Sequence, residues 1–427
     1  MFKTLFLFLS ATLIGTSFIG CAVDECEKYA ERSVCQTTTP DSGNGGILTI
    51  SPRRLNIKGD TVVVTMSAKT SATDDVKITQ PGMADVALGK LGNGTVKVPA
   101  LTSSQLSLGK AYLVVGANAP EPIRFYLSPS YVKSAMNIPT GAEVSLWVGV
   151  SLNGNIVSLN DNLSLPPPVH SGEYGYQSKQ LKFNGGFNYP SSAKGSSSIA
   201  RKFIGYPNPY IDNTVLLRSC NLGTDTCDNI QTANKSLLDM AVNRSASILG
   251  AILDNQLMVY FIDASFGAAT SHLANSAILT PKLIATDDLD GDGLSDFVVW
   301  NGKVISVLRQ SRSGGTIAFN LDMNLSTLLT TAFGNDKPTA LVINDVDGDG
   351  LQDVVYTTVV NAMNQVIWLA NAPDAAVKFT RGGPLNITSG SADSLAVGDV
   401  DLDNKMDIVI SSKSDNTIKT YINQATY

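Results

Sequence analysis

The chain has 427 residues, of which only 16% are charged, and its formal net charge is −6. This length predicts two or three domains, and the absence of a basic patch excludes nucleic acid as a partner. Two histidines in the whole sequence, with no G-x-S-x-G, H-E-x-x-H or P-loop motif, leave little room for imidazole catalysis. We predict no catalytic residues from these features.

Residues 1–20 have the features of an export signal. Lys3 supplies a short positive region, and an apolar stretch runs from Leu5 to Ile14. This stretch is shorter than the roughly 20 residues that a spanning helix needs, which favours a cleaved signal peptide.

The signal ends in Phe18-Ile19-Gly20-Cys21, which resembles a bacterial lipobox. The resemblance implies that Cys21 is lipidated and anchors the chain to a membrane, because two or more acyl chains suffice for stable anchoring. Ala22 in the next position indicates the outer membrane, so we expect an envelope lipoprotein that faces the cell surface or the periplasm. The alternative is an ordinary signal peptide with a cysteine near its cleavage site.

Four cysteines remain after Cys21, and they form two close pairs. An even number in an exported chain predicts disulfides. Of the three possible pairings, the two local ones are favoured: Cys26–Cys35 and Cys220–Cys227. A zinc site is disfavoured, because the spacing lacks C-x₂-C and neither histidine has a cysteine beside it.

Residues 21–130 divide into a polar tether and a strand-rich segment. The tether (21–46) ends in a run of Thr, Pro, Ser and Gly. Six or seven short alternating runs then follow over 47–130, which predicts an immunoglobulin-like sandwich. Its opening, Ile50-Ser-Pro-Arg, resembles bacterial IPT/TIG-type domains. The alternative is that these strands are further repeats of the kind described below.

Residues 131–170 contain a strand pair followed by Pro166-Pro167-Pro168, which we interpret as a connector or a partial repeat. Residues 171–427 then carry the main repeat region. The predicted fold class is therefore all-β, with an immunoglobulin-like sandwich followed by a repeat domain.

Three loops in this region read D-x-D-x-D-[GN]-x-x-D. We call them loop 1 (residues 288–296), loop 2 (345–353) and loop 3 (399–407). Four carboxylates within nine residues repel one another unless a hard cation lies among them, and Ca²⁺ takes six to eight oxygen ligands.

The segments that follow the loops decide which kind of calcium site is expected. An EF-hand needs a bidentate Glu at position 12 between two helices, but position 12 is Val299, Tyr356 or Ile410. Runs rich in β-branched and aromatic residues follow instead, which predicts a strand–loop–strand hairpin. The predicted ligands are the Asp side chains at positions 1, 3, 5 and 9 and the backbone carbonyl at position 7 of each loop. They are Asp288, Asp290, Asp292, Leu294 and Asp296 in loop 1, Asp345, Asp347, Asp349, Leu351 and Asp353 in loop 2, and Asp399, Asp401, Asp403, Lys405 and Asp407 in loop 3.

The loops recur at steps of 57 and 54 residues, which predicts a repeat architecture such as a propeller of four-stranded blades. A fourth copy aligns at 237–261, where the ligand positions have become Val242, Arg244, Ala246 and Gly250. This copy keeps the strand pattern and loses the predicted metal site.

Together, these loops and their flanks resemble FG-GAP/VCBS repeats, the calcium-loop blades of integrin-α-type β-propellers. The resemblance is close over about 235–427 and weaker back to about 171. It implies about three bound Ca²⁺ ions, but such blades occur in adhesins, in polysaccharide-acting enzymes and in other surface proteins. We expect an anchored, non-enzymatic module that presents a surface to a protein or glycan ligand. The alternatives are a polysaccharide-acting enzyme with the propeller as its scaffold and a structural component of a surface assembly.

Overall fold

The computed structural model describes residues 49–426 with internal gaps. The gaps are 66–69, 103, 107–110, 140–143, 151–155, 162–181, 185–187, 190–198, 208–214, 222–226, 234, 236, 244–246, 263–269, 274–279, 314–315, 373–377, 413 and 416. The predicted signal, the tether, Cys21, Cys26 and Cys35 all lie outside the described residues.

The first eight strands form two sheets around one core. They are β1 (Thr49–Ser51), β2 (Arg54–Asn56), β3 (Asp60–Thr65), β4 (Asp75–Thr79), β5 (Val86–Lys90), β6 (Thr95–Val98), β7 (Ala111–Val115) and β8 (Glu121–Tyr126). One sheet has the order β1-β3-β6 and the other β2-β8-β7-β4-β5. Alternate residues such as Val62 and Val64 are buried in the shared core, because successive side chains of a strand point to opposite faces. We call residues 49–127 the N-terminal module; its immunoglobulin-like identity stays a prediction.

The remaining strands form six further sheets within the described ranges. Their strands are β9 (Tyr131–Pro139), β10 (Val144–Val150), β11 (Ile156–Asp161), β12 (Lys182–Asn184), β13 (Asn188–Tyr189), β14 (Ile199–Pro207), β15 (Val215–Asn221), β16 (Cys227–Ala233), β17 (Leu237–Val242), β18 (Ile248–Leu253), β19 (Gln256–Phe261), β20 (Thr270–Leu273), β21 (Leu283–Asp287), β22 (Asp296–Trp300), β23 (Ile305–Ser313), β24 (Thr316–Asp322), β25 (Ala340–Asn344), β26 (Asp353–Val360), β27 (Met363–Asn371), β28 (Phe379–Ile387), β29 (Ser394–Gly398), β30 (Asp407–Ser412) and β31 (Thr417–Asn423). The sheets are β10-β11, β12-β14-β15-β16 with β13 paired to β14, β17-β18-β19-β20, β21-β22-β23-β24, β25-β26-β27-β28 and β29-β30-β31-β9.

The first strands of these sheets contact one another in a closed cycle: β10, β12, β17, β21, β25, β29 and back to β10. Buried residues between consecutive sheets form the core, as where Ile284 and Phe297 pack against Ile252. Four-stranded antiparallel sheets packed face to face around such a cycle make a β-propeller. Among the described residues the ring has six blades, and the blade β10-β11 shows two strands.

The ring closes through a strand from the N-terminal side of the chain. β9 pairs antiparallel with β31 and so becomes the outer strand of the last blade. The Tyr131 ring of β9 also packs edge-on against Trp368 of the neighbouring blade, with centroids 5.4 Å apart. Because β9 covers the edge of β31, the first and the last strand of the propeller are held in one sheet.

Among the residues that the structure describes, a helix, α1 (Met323–Phe333), interrupts the strand pattern and was not predicted. Asp322 caps it by accepting hydrogen bonds from the backbone N–H groups of Asn324 and Leu325. Leu325, Leu329 and Phe333 lie one helical turn apart and are buried against the neighbouring sheets. This spacing is a helical signal that the strand-rich context obscured.

The predicted strand pattern of the fourth copy at 237–261 is confirmed, since β17, β18 and β19 lie there. Residues 49–126 do not form sequential four-stranded blades, so the alternative in which they are further repeats is wrong. Within the described ranges, no helix is both long and apolar enough to cross a bilayer.

Candidate metal centres

Each of the three acidic loops joins the first strand of a blade to the second. Loop 1 lies between β21 and β22, loop 2 between β25 and β26, and loop 3 between β29 and β30. The flanking elements are antiparallel strands, which confirms the predicted hairpin geometry and excludes an EF-hand. Position 9 of each loop is the first residue of the second strand, so one ligand position is fixed by the sheet itself.

The structure brings the carboxylates at positions 1, 3 and 9 together in every loop. One oxygen from each lies within 4.8 Å of the others in the set. The three sets are Asp288, Asp290 and Asp296; Asp345, Asp347 and Asp353; and Asp399, Asp401 and Asp407. The Asp at position 5 lies outside these sets, and its ligand role stays a prediction, as does that of the carbonyls of Leu294, Leu351 and Lys405.

The Asp at position 9 is fully buried and held by two backbone N–H groups. In loop 1, Asp296 accepts from Leu289 at 3.2 Å and from Gln310 at 3.1 Å. The equivalent pairs are Val346 and Asn371 for Asp353, and Val400 and Asn423 for Asp407. One donor comes from the loop and the other from the third strand, so this carboxylate joins three parts of each blade.

The loop backbone is curled by the other Asp side chains. Asp288 accepts from Gly291 at 2.9 Å and from Gly293 at 2.8 Å, and both glycines have positive φ. In loop 3 the same two positions hold Leu402 and Asn404, with φ of 63° and 65°. A left-handed backbone is unfavourable for leucine, so loop 3 is more strained than the other two.

Burial shifts the titration of these carboxyl groups. It raises the pKa of Asp296 and of Asp353 well above the usual range, and neighbouring loop carboxylates raise both further. It also raises the pKa of Asp407 to about 6. Buried carboxylates at this spacing are stable in their charged form when a cation compensates them.

The donor set is therefore suited to a hard divalent cation. All the clustered side-chain donors are carboxylate oxygens, and Ca²⁺ prefers such ligands in loops of this kind. In loop 1 the side chains of Asp288, Asp290 and Asp296 would hold the ion. Their distance of less than 4.8 Å from one another fits oxygens that share one ion at 2.3–2.6 Å.

The degenerate fourth copy (237–261) shows which contacts occupy the corresponding part of a blade that lacks the acidic ligand positions. Asn243 stands at position 2 of that copy; its Oδ1 accepts from the Ile248 N–H at 3.0 Å, and its Nδ2 donates to Ser295 of the next blade at 2.7 Å. Gly250 replaces the position-9 Asp, and a Cβ there would lie 2.4 Å from the Phe297 ring. Neutral hydrogen bonds and close packing thus take the place of the acidic loop.

Two residues important to the loops were not predicted. The Asn371 side chain donates to the Leu289 carbonyl of loop 1 at 2.7 Å and to the Gln352 carbonyl of loop 2 at 3.0 Å, so it links two loops. The recurrence of Asn at the end of the third strand, at Asn371 and Asn423, was a signal that could have revealed it. The other residue is Arg54, which lies against loop 2 and has no such signal in the sequence.

The structure also places the remaining candidates. The strand register sets Cys220 opposite Cys227, and their disulfide stays a prediction. Trp300 and Trp368 are buried in the hydrophobic cores, which is typical of structural tryptophans.

A comparison with family models agrees with this geometry. A family model described as an FG-GAP-like repeat matches residues 288–356 and 345–410. The acidic-loop blades of this propeller are FG-GAP-like repeats. Among solved structures, the β-propeller domain of Cps50 (Swd1) from Myceliophteria thermophila is 8% identical over 69% of this chain and 99% of its own, with a TM-score of 0.34. No curated protein matches the chain.

Proposed function

We propose that this protein is a calcium-stabilised FG-GAP propeller that is anchored to the bacterial envelope and presents a recognition surface to a protein or glycan. The observation that supports calcium binding is the recurrence of three carboxylate clusters, each with a buried position-9 Asp, at the same position in consecutive blades. Each cluster includes a carboxylate held by the backbone of its own blade, so a bound ion is connected directly to the sheet.

The ions act on stability rather than on chemistry. A cation that binds only the folded state adds about 2.7 kcal/mol when its free concentration is 100 times Kd. Extracellular calcium sites often have Kd values of about 10⁻⁴–10⁻³ M. The propeller is therefore expected to be rigid where calcium is plentiful, which suits a module on the outside of a cell.

The anchoring proposal rests on the lipobox-like ending at Cys21 and on the cysteine pairs that suit an oxidising compartment. The N-terminal module, which we propose to be immunoglobulin-like, would then lie between the anchor and the ring along the chain. The non-enzymatic proposal rests on the use of the clustered carboxylates as metal ligands. A surface enzyme acting on polysaccharide is the competing function.

Calcium binding is tested by isothermal titration of metal-free protein, with Asp290→Ala as a variant and Asp85→Ala as a control. Asp85 is a half-exposed surface residue that pairs with Lys77 and belongs to none of the three loops. We expect saturable binding that Asp290→Ala reduces and Asp85→Ala leaves unchanged. Failure of the wild-type protein to bind calcium would refute this part of the proposal.

Anchoring and recognition need separate experiments. Cys21→Ala should move the protein out of the membrane fraction, whereas Cys26→Ala should leave it there; membrane association independent of Cys21 would refute the anchor. Purified protein is then screened against glycans. Saturable binding without cleavage supports a recognition module, and released oligosaccharides support the enzyme.

A further inference from the structure

Loop 2 differs from the other loops because a guanidinium from the N-terminal module reaches two of its carboxylates. Arg54 Nε lies 2.8 Å from Asp349 Oδ2, and a terminal nitrogen of the same side chain contacts Asp347 Oδ2. Arg54 is on β2, nearly 300 residues from the loop in sequence. The contact therefore exists only because the module packs on the propeller.

The guanidinium is held in place by the module. Its carbon lies 3.7 Å from the centroid of the Tyr126 ring, within the range of a favourable cation–π contact. Beside it, Arg124 donates to the Asp349 carbonyl at 3.0 Å, and the Leu127 N–H donates to the Asp347 carbonyl at 2.8 Å. Arg54 thus belongs to an interface in which backbone and side chains of the module both contact loop 2.

The basic side chains at the other loops are placed differently. Arg309 contacts Asp290 of loop 1 but its side chain is 42% exposed, whereas the Arg54 side chain is 10% exposed. At loop 3 the contact is between Lys405 and Asp403, both within the loop itself. Arg309 has room to turn into solvent when a cation enters, while Arg54 would have to leave its place on Tyr126.

We propose that Arg54 competes with calcium at loop 2, so that this loop binds the ion more weakly than it would alone. This inference rests on the proposed calcium binding. A guanidinium on two of the loop's four carboxylates neutralises part of their charge and repels an incoming dication, and such repulsion is weakly screened at a buried site. Because linkage is reciprocal, calcium in loop 2 weakens the contact between the module and the propeller by the same factor.

The test compares calcium titrations of metal-free wild-type protein, Arg54→Gln and Arg53→Gln. Arg53→Gln is the matched control, because it removes the same charge from the adjacent residue, whose guanidinium pairs with Glu121. Arg54→Gln should tighten one site by at least about tenfold, and Arg53→Gln should not. Adding Asp345→Asn to Arg54→Gln should abolish the tightened site, which assigns it to loop 2.

Arg54→Lys provides a second test of the same contact if Arg54→Gln does not fold. Arg54→Lys keeps one charge but loses the planar fork that contacts two carboxylates at once, so it should tighten the same site by a smaller factor. Calcium binding that is unchanged or weakened in both Arg54 variants would overturn the competition. Lack of calcium binding in every protein, wild type included, would instead refute the proposed calcium-binding function itself.

Discussion

Replacement of Asp296 by alanine tests whether the position-9 carboxylate has a structural role in addition to its role toward the metal. Its side chain is fully buried and accepts hydrogen bonds from two buried N–H groups, those of Leu289 and Gln310. Each donor left without a partner costs about 1–3 kcal/mol, which gives roughly 2–6 kcal/mol for the pair. Removal of a buried charge offsets part of this cost, so we expect the lower end, about 2 kcal/mol, in EDTA.

With calcium at about 100 times Kd, the wild-type protein gains about a further 2.7 kcal/mol at this site that the variant cannot gain. The assay is urea denaturation of both proteins in EDTA and in calcium, with Asp85→Ala as the control. Asp85 is half-exposed in a surface ion pair with Lys77, and loss of such a pair costs about 0–1 kcal/mol. The reasoning is refuted if, in EDTA, Asp296→Ala is no less stable than Asp85→Ala.

Three more predictions concern the loops and the core. EDTA should lower Tm in the wild-type protein. When calcium is present, Asp290→Ala should lower Tm more than Asp399→Ala, because the strained loop 3 binds calcium more weakly and so has less stabilisation to lose. Equal losses of Tm in the two variants would contradict this ranking. Since burial raises the pKa of Asp407 to about 6, its contribution to the stability of the metal-free protein is present below about pH 4 and is lost as the pH rises through about 6. Asp407→Asn should therefore flatten the dependence of Tm on pH in EDTA between about pH 4 and 6.5, and an unaltered profile would exclude this titration. Gly382→Ala should destabilise the fold by about 1–3 kcal/mol and shift tryptophan fluorescence, since the new methyl group would lie 2.0 Å from Trp368 Nε1. The control is Gly82→Ala, which has open space around the new methyl group and should leave the tryptophan fluorescence unchanged.

The acidic loops were predictable from sequence because the ligand positions of each loop lie within nine consecutive residues. Asp residues two positions apart in a curled loop converge on one point, and the strand-like runs after them fixed the kind of hairpin. The same spacing suggested that position 5 would join the cluster. In the structure, Asp292 accepts a hydrogen bond from the Leu294 N–H at 2.8 Å and lies outside the set, and its ligand role stays a prediction.

The helix α1 was missed for a different reason. Its cap at Asp322 and its buried Leu325, Leu329 and Phe333 carry the usual signals, but the helix is only 11 residues long and lies between strands. A short helix is stabilised mainly by packing of its apolar face, and sequence alone does not show the surface on which it packs.

By itself, the sequence determined that this protein is built from strand-rich repeats with acidic loops, because repeat period, strand pattern and ligand spacing all act within a few tens of residues. The tertiary structure decided how many blades meet, that β9 completes the last blade beside β31, and that Arg54 lies against loop 2. These features depend on contacts between residues nearly 300 positions apart. Such contacts form only when the ring closes and the N-terminal module packs on it, and no local pattern along the chain specifies them.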